Sequence, residues 1–449
     1  MSRLFGTDGV RGVANSELTC ELALKLGRAT ALVLMERAKK SPKVLIGMDT
    51  RISSDMLAAS IAAGFCSMGV DVMQLGVVPT PAVAYLVKEY KCDAGIMISA
   101  SHNSFEYNGI KIFQADGYKL PDELEENIEK LILEDKALNP SIIGEDVGRV
   151  TYSQTAYFDY VSHIQSSVDI SFEGVKVALD CANGAAFVSA PELFMRLGAR
   201  CSLLGCRPDG ININKGSGST DLEALSRFVA ANDCTVGFAF DGDADRLLAV
   251  DENGELVDGD KIIAICAQGL KESGKLRGNT AVVTVMSNMG FFKFCDDNDI
   301  KYETTQVGDR YVLERMVEKG YSIGGEQSGH VIFHDYATTG DGQLTALKLL
   351  EVIIKSGKSL SELAAQVPLY PQVLKNVSVS RIGKIRFDSD EEIKKAIVKA
   401  EAELGDQGRV LVRVSGTEPL VRVMLEGKDE KLIEKLACEI AQVINERLI

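Results

Sequence analysis

Apolar positions along the chain follow two alternating rhythms. In "SELTCELALKLGRATALVLMERAK" they return with the 3.6-residue spacing of a helix that buries one face. "KVLIGMD" then reads as a strand, followed by a helix from about Ser54 to Met68, a strand in "DVMQLGVV" and a helix in "TPAVAYLVKEY". "AGIMISA" is almost continuously apolar, as expected of a strand covered on both faces by helices. The rhythm restarts twice. "VKVALDCANGAA" and "APELFMRLGA" read as strand and helix, and "CTVGFAFDGDADRLLAV" as strand, loop and strand. "TAVVTVMSNMGFFKFCDD" and "YSIGGEQSGHVIF" open a third unit. Two prolines in "VPLYPQVLKN" mark a linker. Beyond it the pattern predicts strand 374–380, helix 390–404, strand 409–414, strand 420–427 and helix 429–446. The expected fold is three successive α/β domains, residues 1–150, 151–255 and 256–370, plus a smaller α+β domain over 371–449.

Composition narrows the function classes. The 449 residues are 46% hydrophobic, ample for a core in each domain. Asp plus Glu outnumber Lys plus Arg by 64 to 49, a net charge of −15, and no basic run stands out, so nucleic acid is not an expected partner. No apolar stretch approaches the length of a membrane span, and "MSRLFGTDGVRG" lacks the apolar segment of a signal peptide. A soluble, cytoplasmic protein with no membrane partner is expected. The 10 cysteines form no CxxC pair and the 4 histidines do not cluster, which leaves little for a transition metal but admits a hard, oxygen-bound cation.

Four loops carry candidate chemistry. "ISASHNSFEYNGIKIF" sets Ser99, Ser101, His102, Asn103 and Lys111 between two strand-like runs. "FAFDGDADR" places Asp241, Asp243 and Asp245 at alternate positions after an apolar strand. In extended backbone these carboxylates project together and call for a cation, with oxygen donors favouring Mg²⁺ or Ca²⁺. The spacing to Glu252 imitates an EF-hand, but Arg246 stands where that loop needs glycine. "GGEQSGH" offers Glu326, Ser328 and His330, a mixture suited to a hydroxyl-rich ligand, although such a loop taken alone is more often a plain turn. "RVSGTEPLVRV" brackets Ser415, Gly416 and Thr417 with Arg413 and Arg422, a candidate phosphate cradle or an ordinary hairpin. Near the N-terminus, "GTDGVRG" contributes Arg11 as an anion-binding candidate.

Together and in this order, the loops resemble those of the α-D-phosphohexomutase superfamily, and the resemblance covers essentially the whole chain. Within it, "FGTDGVRG", "ISASHN", "GDRYV" and "GGEQSGH" look most like the bacterial branch that interconverts the 6- and 1-phosphates of glucosamine on the way to UDP-N-acetylglucosamine, a cell-wall precursor. The runner-up is the mannose and glucose phosphate branch, which tends to have Met where Gln327 stands. The resemblance implies a four-domain enzyme around a central cleft, with Ser101 as a phosphoserine donor. It implies Mg²⁺ held by Asp241, Asp243, Asp245 and phospho-Ser101, with Glu326 and Ser328 on the sugar hydroxyls. Arg413, Ser415, Gly416, Thr417 and Arg422 would hold the non-reacting phosphate, and Arg11, Lys111, Arg246 and His330 would serve the reacting end. Lys111 or His330 would accept the sugar proton, and glucosamine 1,6-bisphosphate or glucose 1,6-bisphosphate would prime the serine. The partners implied are small sugar phosphates, and a monomer or homodimer is expected. Ser104 departs from the superfamily's usual proline, giving up a fixed φ in the serine loop. Two rivals from other classes fare worse. A serine hydrolase would need Ser101 and His102 to face each other, which neighbours rarely do, and no G-x-S-x-G elbow is present. A non-catalytic sugar-phosphate sensor would not need both the serine and the acidic triplet.

Overall fold

The computed structural model describes residues 4–6, 8–37, 42–134, 142–415 and 419–448. They form two compact units, Met1–Met286 with Ile300–Ala365, and Ser287–Asp299 with Gln366–Ile449.

The larger unit contains three sheets, each with flanking helices. The first is six-stranded, with Val10–Val13, Tyr107–Gln114, Ala94–Ile98, Lys43–Met48, Asp71–Val77 and Val150–Tyr152 side by side. Its inner strands run parallel, and Tyr107–Gln114 lies antiparallel to both of its neighbours. Ala94–Ile98 is buried at every position, which explains its unbroken apolar sequence: helices cover both faces, so no residue needs to meet water. Helices Cys20–Arg37 and Ser54–Ser67 cross at two glycines. A Cβ on Gly27 would lie 2.5 Å from the Ile61 carbonyl, and one on Gly64 would lie 2.4 Å from that of Leu24. Close approach here requires the bare backbone.

The second sheet orders Leu256–Val257, Leu247–Val250, Val236–Phe240, Lys176–Asp180 and Arg200–Leu204. The third orders Lys301–Thr305, Thr280–Thr284, Ile323–Gly325 and Val331–Phe333. Helix Ala186–Arg196 starts well ahead of the "APELFMRLGA" segment and carries Pro191 in its interior. Proline there loses one helix hydrogen bond, and the burial of Ala186, Ala190, Leu193 and Phe194 offsets that cost. Helix Asp309–Lys319 was not expected. Its apolar stripe is thin, with Val312 and Met316 as its buried residues.

The smaller unit is α+β. Its antiparallel sheet orders Gln372–Ser378, Leu420–Gly427 and Gly408–Val414, with helices Glu391–Leu404 and Glu430–Leu448 packed on a core that includes Val421, Val423, Leu425, Ile433 and Ile440. A short helix, Arg381–Arg386, follows the first strand. No helix among the described residues is long and apolar enough to cross a membrane.

Candidate active site

Ser101 follows the buried strand Ala94–Ile98, in a turn whose backbone is left-handed at Ser101 itself, φ +52°. Its hydroxyl donates to Asp241 Oδ2 at 2.6 Å. The three carboxylates do converge, with ligand atoms within 4.8 Å of one another and all three residues buried. The cause differs from strand alternation. The strand ends at Phe240 and the next begins at Leu247, so the triplet sits in the intervening turn, with Ala244 at φ +57°.

The triplet fits a hard cation. Oδ1 of Asp243 and of Asp245 are buried without a hydrogen-bond partner, an arrangement that a bound cation would satisfy. Burial and the charges of Asp245 and Asp243 hold the Asp241 carboxyl well above its ordinary pKa, a measure of the crowding that a cation would relieve. The remaining oxygens are occupied. Asp243 Oδ2 accepts from Thr80 Oγ1 at 2.5 Å and from Lys111 Nζ at 2.9 Å. Burial alone would raise Asp245, but Lys111 and His330 outweigh it and bring the group below the carboxylate range.

Lys111 belongs to a closed ring of charges. Its ammonium lies 3.0 Å from Asp8 and 3.6 Å from Asp245. Asp8 meets Lys119 at 2.7 Å, Lys119 meets Asp309 at 2.7 Å, Asp309 lies 3.6 Å from His330, and His330 lies 3.7 Å from Asp245. Burial would lower the Lys111 pKa, but Asp243, Asp8 and Asp245 raise it instead, so the lysine stays charged. His330 accepts the Gly340 N–H on Nε2 at 3.0 Å, which places the proton of the neutral ring on Nδ1, toward Asp245. Burial disfavours a second proton, and Asp245 and Asp309 more than offset it.

His102 does approach Ser101, contrary to expectation, with Nδ1 at 3.4 Å from Oγ. The same nitrogen lies 3.3 Å from the Arg246 guanidinium. Burial, then Arg246 and Arg11, push its pKa down to about 4, so the ring is neutral at physiological pH.

Arg11, Ser101, Asp245, Arg246, Asp309, Glu326 and His330 share the wall of one cleft of about 430 Å³. Arg11 is paired with Asp8. Glu326 accepts the Gly308 N–H on Oε1 at 3.1 Å, tying the sugar-loop candidate to the start of "GDRYV". Ser328 is exposed on the same turn and is not part of that wall. Asp8, Thr80, Lys119 and Asp309 were not singled out in the sequence. The one available signal was the charge in "GTDGVRG" and "GDRYV".

In the smaller unit Arg413 faces Arg422 across the strand ladder. Burial and the Arg422 charge both lower the Arg413 pKa. Ser415 is buried and its N–H donates to the Leu420 carbonyl at 2.9 Å. Gly416 and Thr417 lie outside the described residues.

Comparison with known proteins places this chain in a family. Four phosphoglucomutase/phosphomannomutase family models match in sequence order: alpha/beta/alpha domain I over residues 2–139, domain II over 155–254, domain III over 258–370 and the C-terminal domain over 374–443. The chain belongs to the phosphoglucomutase/phosphomannomutase family and is an enzyme of its phosphotransferring, isomerase type. Within the family it groups with phosphoglucosamine mutases. It is 54% identical to that of Ruminiclostridium cellulolyticum and 55% identical to that of Acetivibrio thermocellus, with 100% of both chains covered in each case. Among solved structures, a phosphoglucomutase/phosphomannomutase family protein from Burkholderia thailandensis matches with a TM-score of 0.83 at 22% identity, covering 100% of this chain and 98% of that one. Aspergillus fumigatus N-acetylphosphoglucosamine mutase, in complex with GlcNAc-6P and magnesium, matches with a TM-score of 0.67 at 16% identity, covering 99% and 96%. These two share the fold.

Proposed function

We propose that the chain interconverts glucosamine 6-phosphate and glucosamine 1-phosphate, with Ser101 as the phosphoryl carrier and a 1,6-bisphosphate as intermediate. The observation that carries this reading is the Ser101 hydroxyl held 2.6 Å from Asp241 at the wall of a cleft shared with Glu326. A sugar hydroxyl attacks the phosphorus of phospho-Ser101, a new P–O ester forms, and the bond to Ser101 Oγ breaks. Lys111, with three carboxylates around its ammonium, is a fixed cation, so the hydroxyl proton falls to His330, whose Nε2 accepts it only after releasing the Gly340 N–H. Arg11 and Arg246 flank the reacting phosphate and oppose its charge. The bisphosphate turns end for end and returns its other phosphoryl group to Ser101. Asp241, Asp243, Asp245 and a phosphoserine oxygen are the residues to hold Mg²⁺, which when bound supplies positive charge to the transferring group. Glu326 and Ser328 serve the sugar hydroxyls. Arg413, Ser415, Gly416, Thr417 and Arg422 hold the phosphate that is not reacting. Glucosamine 1,6-bisphosphate or glucose 1,6-bisphosphate primes the serine. The same reading makes the enzyme cytoplasmic, a monomer or homodimer, with residues 1–150, 151–255, 256–370 and 371–449 as its domains.

A coupled assay with glucosamine 6-phosphate, glucose 1-phosphate and mannose 1-phosphate tests the substrate. The amino sugar is expected to give the highest kcat/KM; a preference for mannose or glucose phosphate would instead assign the chain to that branch.

The Arg413–Arg422 pair yields a further expectation. Arg413→Ala removes a guanidinium able to grip two phosphate oxygens, and kcat/KM falls on the order of 100-fold. Because the bisphosphate must stay bound through its turn, the variant also releases it more often, leaves Ser101 unphosphorylated and depends on added bisphosphate. Assays of released bisphosphate and inorganic phosphate check this, and release unchanged from the unaltered enzyme would reduce the loop to a hairpin turn.

A further inference from the structure

A serine at φ +52° is strained, at a cost of roughly 1–3 kcal/mol, and persists only where its surroundings force it. Two side chains outside the reacting set supply that force. Arg51 is fully buried, and its guanidinium is spent on the serine loop. One terminal nitrogen donates to the Ser101 carbonyl at 2.9 Å and the Asn103 carbonyl at 2.8 Å. The other donates to Tyr107 O at 3.1 Å and to Ser104 O. Nε is fixed by Asp49 Oδ2 at 2.8 Å. Asp49 also orients Ser99, whose Oγ donates to it at 2.5 Å and accepts the Ser101 N–H at 2.9 Å. Both backbone groups of Ser101 therefore return to the Asp49–Arg51 pair.

The second grip comes from the segment "GININ", between strands Arg200–Leu204 and Val236–Phe240 of the second sheet. Asn214 Nδ2 donates to the same two carbonyls, Ser101 O and Asn103 O, each at 2.9 Å. Gly242, inside the acidic turn, makes this meeting possible. A Cβ there would lie 2.6 Å from Ser101 O and 2.9 Å from Asn214 Nδ2. Serine loop, acidic turn and Asn214 segment thus share one backbone contact point. Arg51 also takes the Ser104 carbonyl, restraining the loop where the superfamily's proline is missing.

We propose that Arg51 and Asn214 are positioning residues for the phosphoryl donor, which together fix the aim of the Ser101 hydroxyl relative to the acidic triplet. The proposal rests on Ser101 being that donor. Neither side chain contacts the reacting hydroxyl. Each acts through the Ser101 carbonyl, and a small misplacement of a reacting group costs on the order of 100-fold in rate.

The test uses the full chain. Asn214 is half-buried with a left-handed backbone, φ +58°, so Asn214→Ala is expected to fold with a modestly lowered Tm, and Asn214→Gly, unstrained there, should show the same loss of rate. Its kcat, and the rate at which Ser101 takes phosphate from glucose 1,6-bisphosphate by intact mass, should fall about tenfold to 100-fold, with KM within about twofold. Arg51→Ala should lose more, and added guanidinium ion should restore part of it; Arg51→Lys, which keeps charge but not the planar fork, should stay impaired. Unchanged kcat and phosphate uptake in Asn214→Ala would overturn the proposal. So would a loss fully accounted for by a smaller folded fraction. If Ser101 of the unaltered enzyme takes up no phosphate, the donor assignment itself falls, and this proposal with it.

Discussion

Ser101→Ala is expected to abolish mutase turnover, lowering kcat by about four orders of magnitude or more, the scale seen when a covalent carrier is removed. The hydroxyl has no substitute nearby. Ser99 Oγ is committed to Asp49 and to the Ser101 N–H, and His102 is neutral and faces Arg246. Folding should be nearly unaffected, because the Ser101 side chain makes one strong contact, to Asp241. Intact-mass analysis of the unaltered enzyme should find one phosphate, and peptide mapping should place it on Ser101. An active alanine variant, or phosphate confined to Ser99, would remove Ser101 from the mechanism and leave the cleft without a donor.

Removing the metal should be nearly as severe. Excess chelator is expected to stop turnover, and Mg²⁺ to restore it. Asp243→Asn should weaken cation binding and cost about 3 kcal/mol of transition-state stabilisation. Asp243 is the informative position because its two oxygens divide the work. Oδ2 is engaged by Thr80 and Lys111, whereas Oδ1 is buried and unpartnered. Titration with Mn²⁺ followed by electron paramagnetic resonance reads binding without reference to turnover. Full activity in excess chelator would remove the cation from the mechanism, and unaltered Mn²⁺ affinity in Asp243→Asn would remove Asp243 from its ligands.

Much of this was legible in the chain, for local reasons. Period and run length located the buried strand Ala94–Ile98 and the long helix Cys20–Arg37. The acidic triplet was visible because it directly follows an apolar strand, although a left-handed turn rather than an extended strand brings it together. What escaped was either weakly patterned or distant in sequence. Helix Asp309–Lys319 buries too few side chains to announce itself, and Pro191 hid the first turns of its helix. Thr80 and Asp243 are 163 residues apart, and Lys119 and Asp309 are 190 apart, so nothing local couples them. The charge in "GTDGVRG" drew attention to Arg11, while Asp8, beside it, touches Lys111 and Lys119 as well.

The closed ring of Lys111, Asp8, Lys119, Asp309, His330 and Asp245 also constrains how such an enzyme can change over evolutionary time. Neutralising Lys111 strands the buried charge of Asp245, a loss typically of about 3–5 kcal/mol when a buried pair is broken, whereas Asp8, Lys119 and Asp309 keep some side-chain contact with water and lose less. A change at one of these positions is therefore best tolerated when a second within the ring compensates it, and the crossing between them passes through a destabilised ancestor carrying the single change. Stability held in reserve elsewhere in the fold sets whether that crossing can be survived.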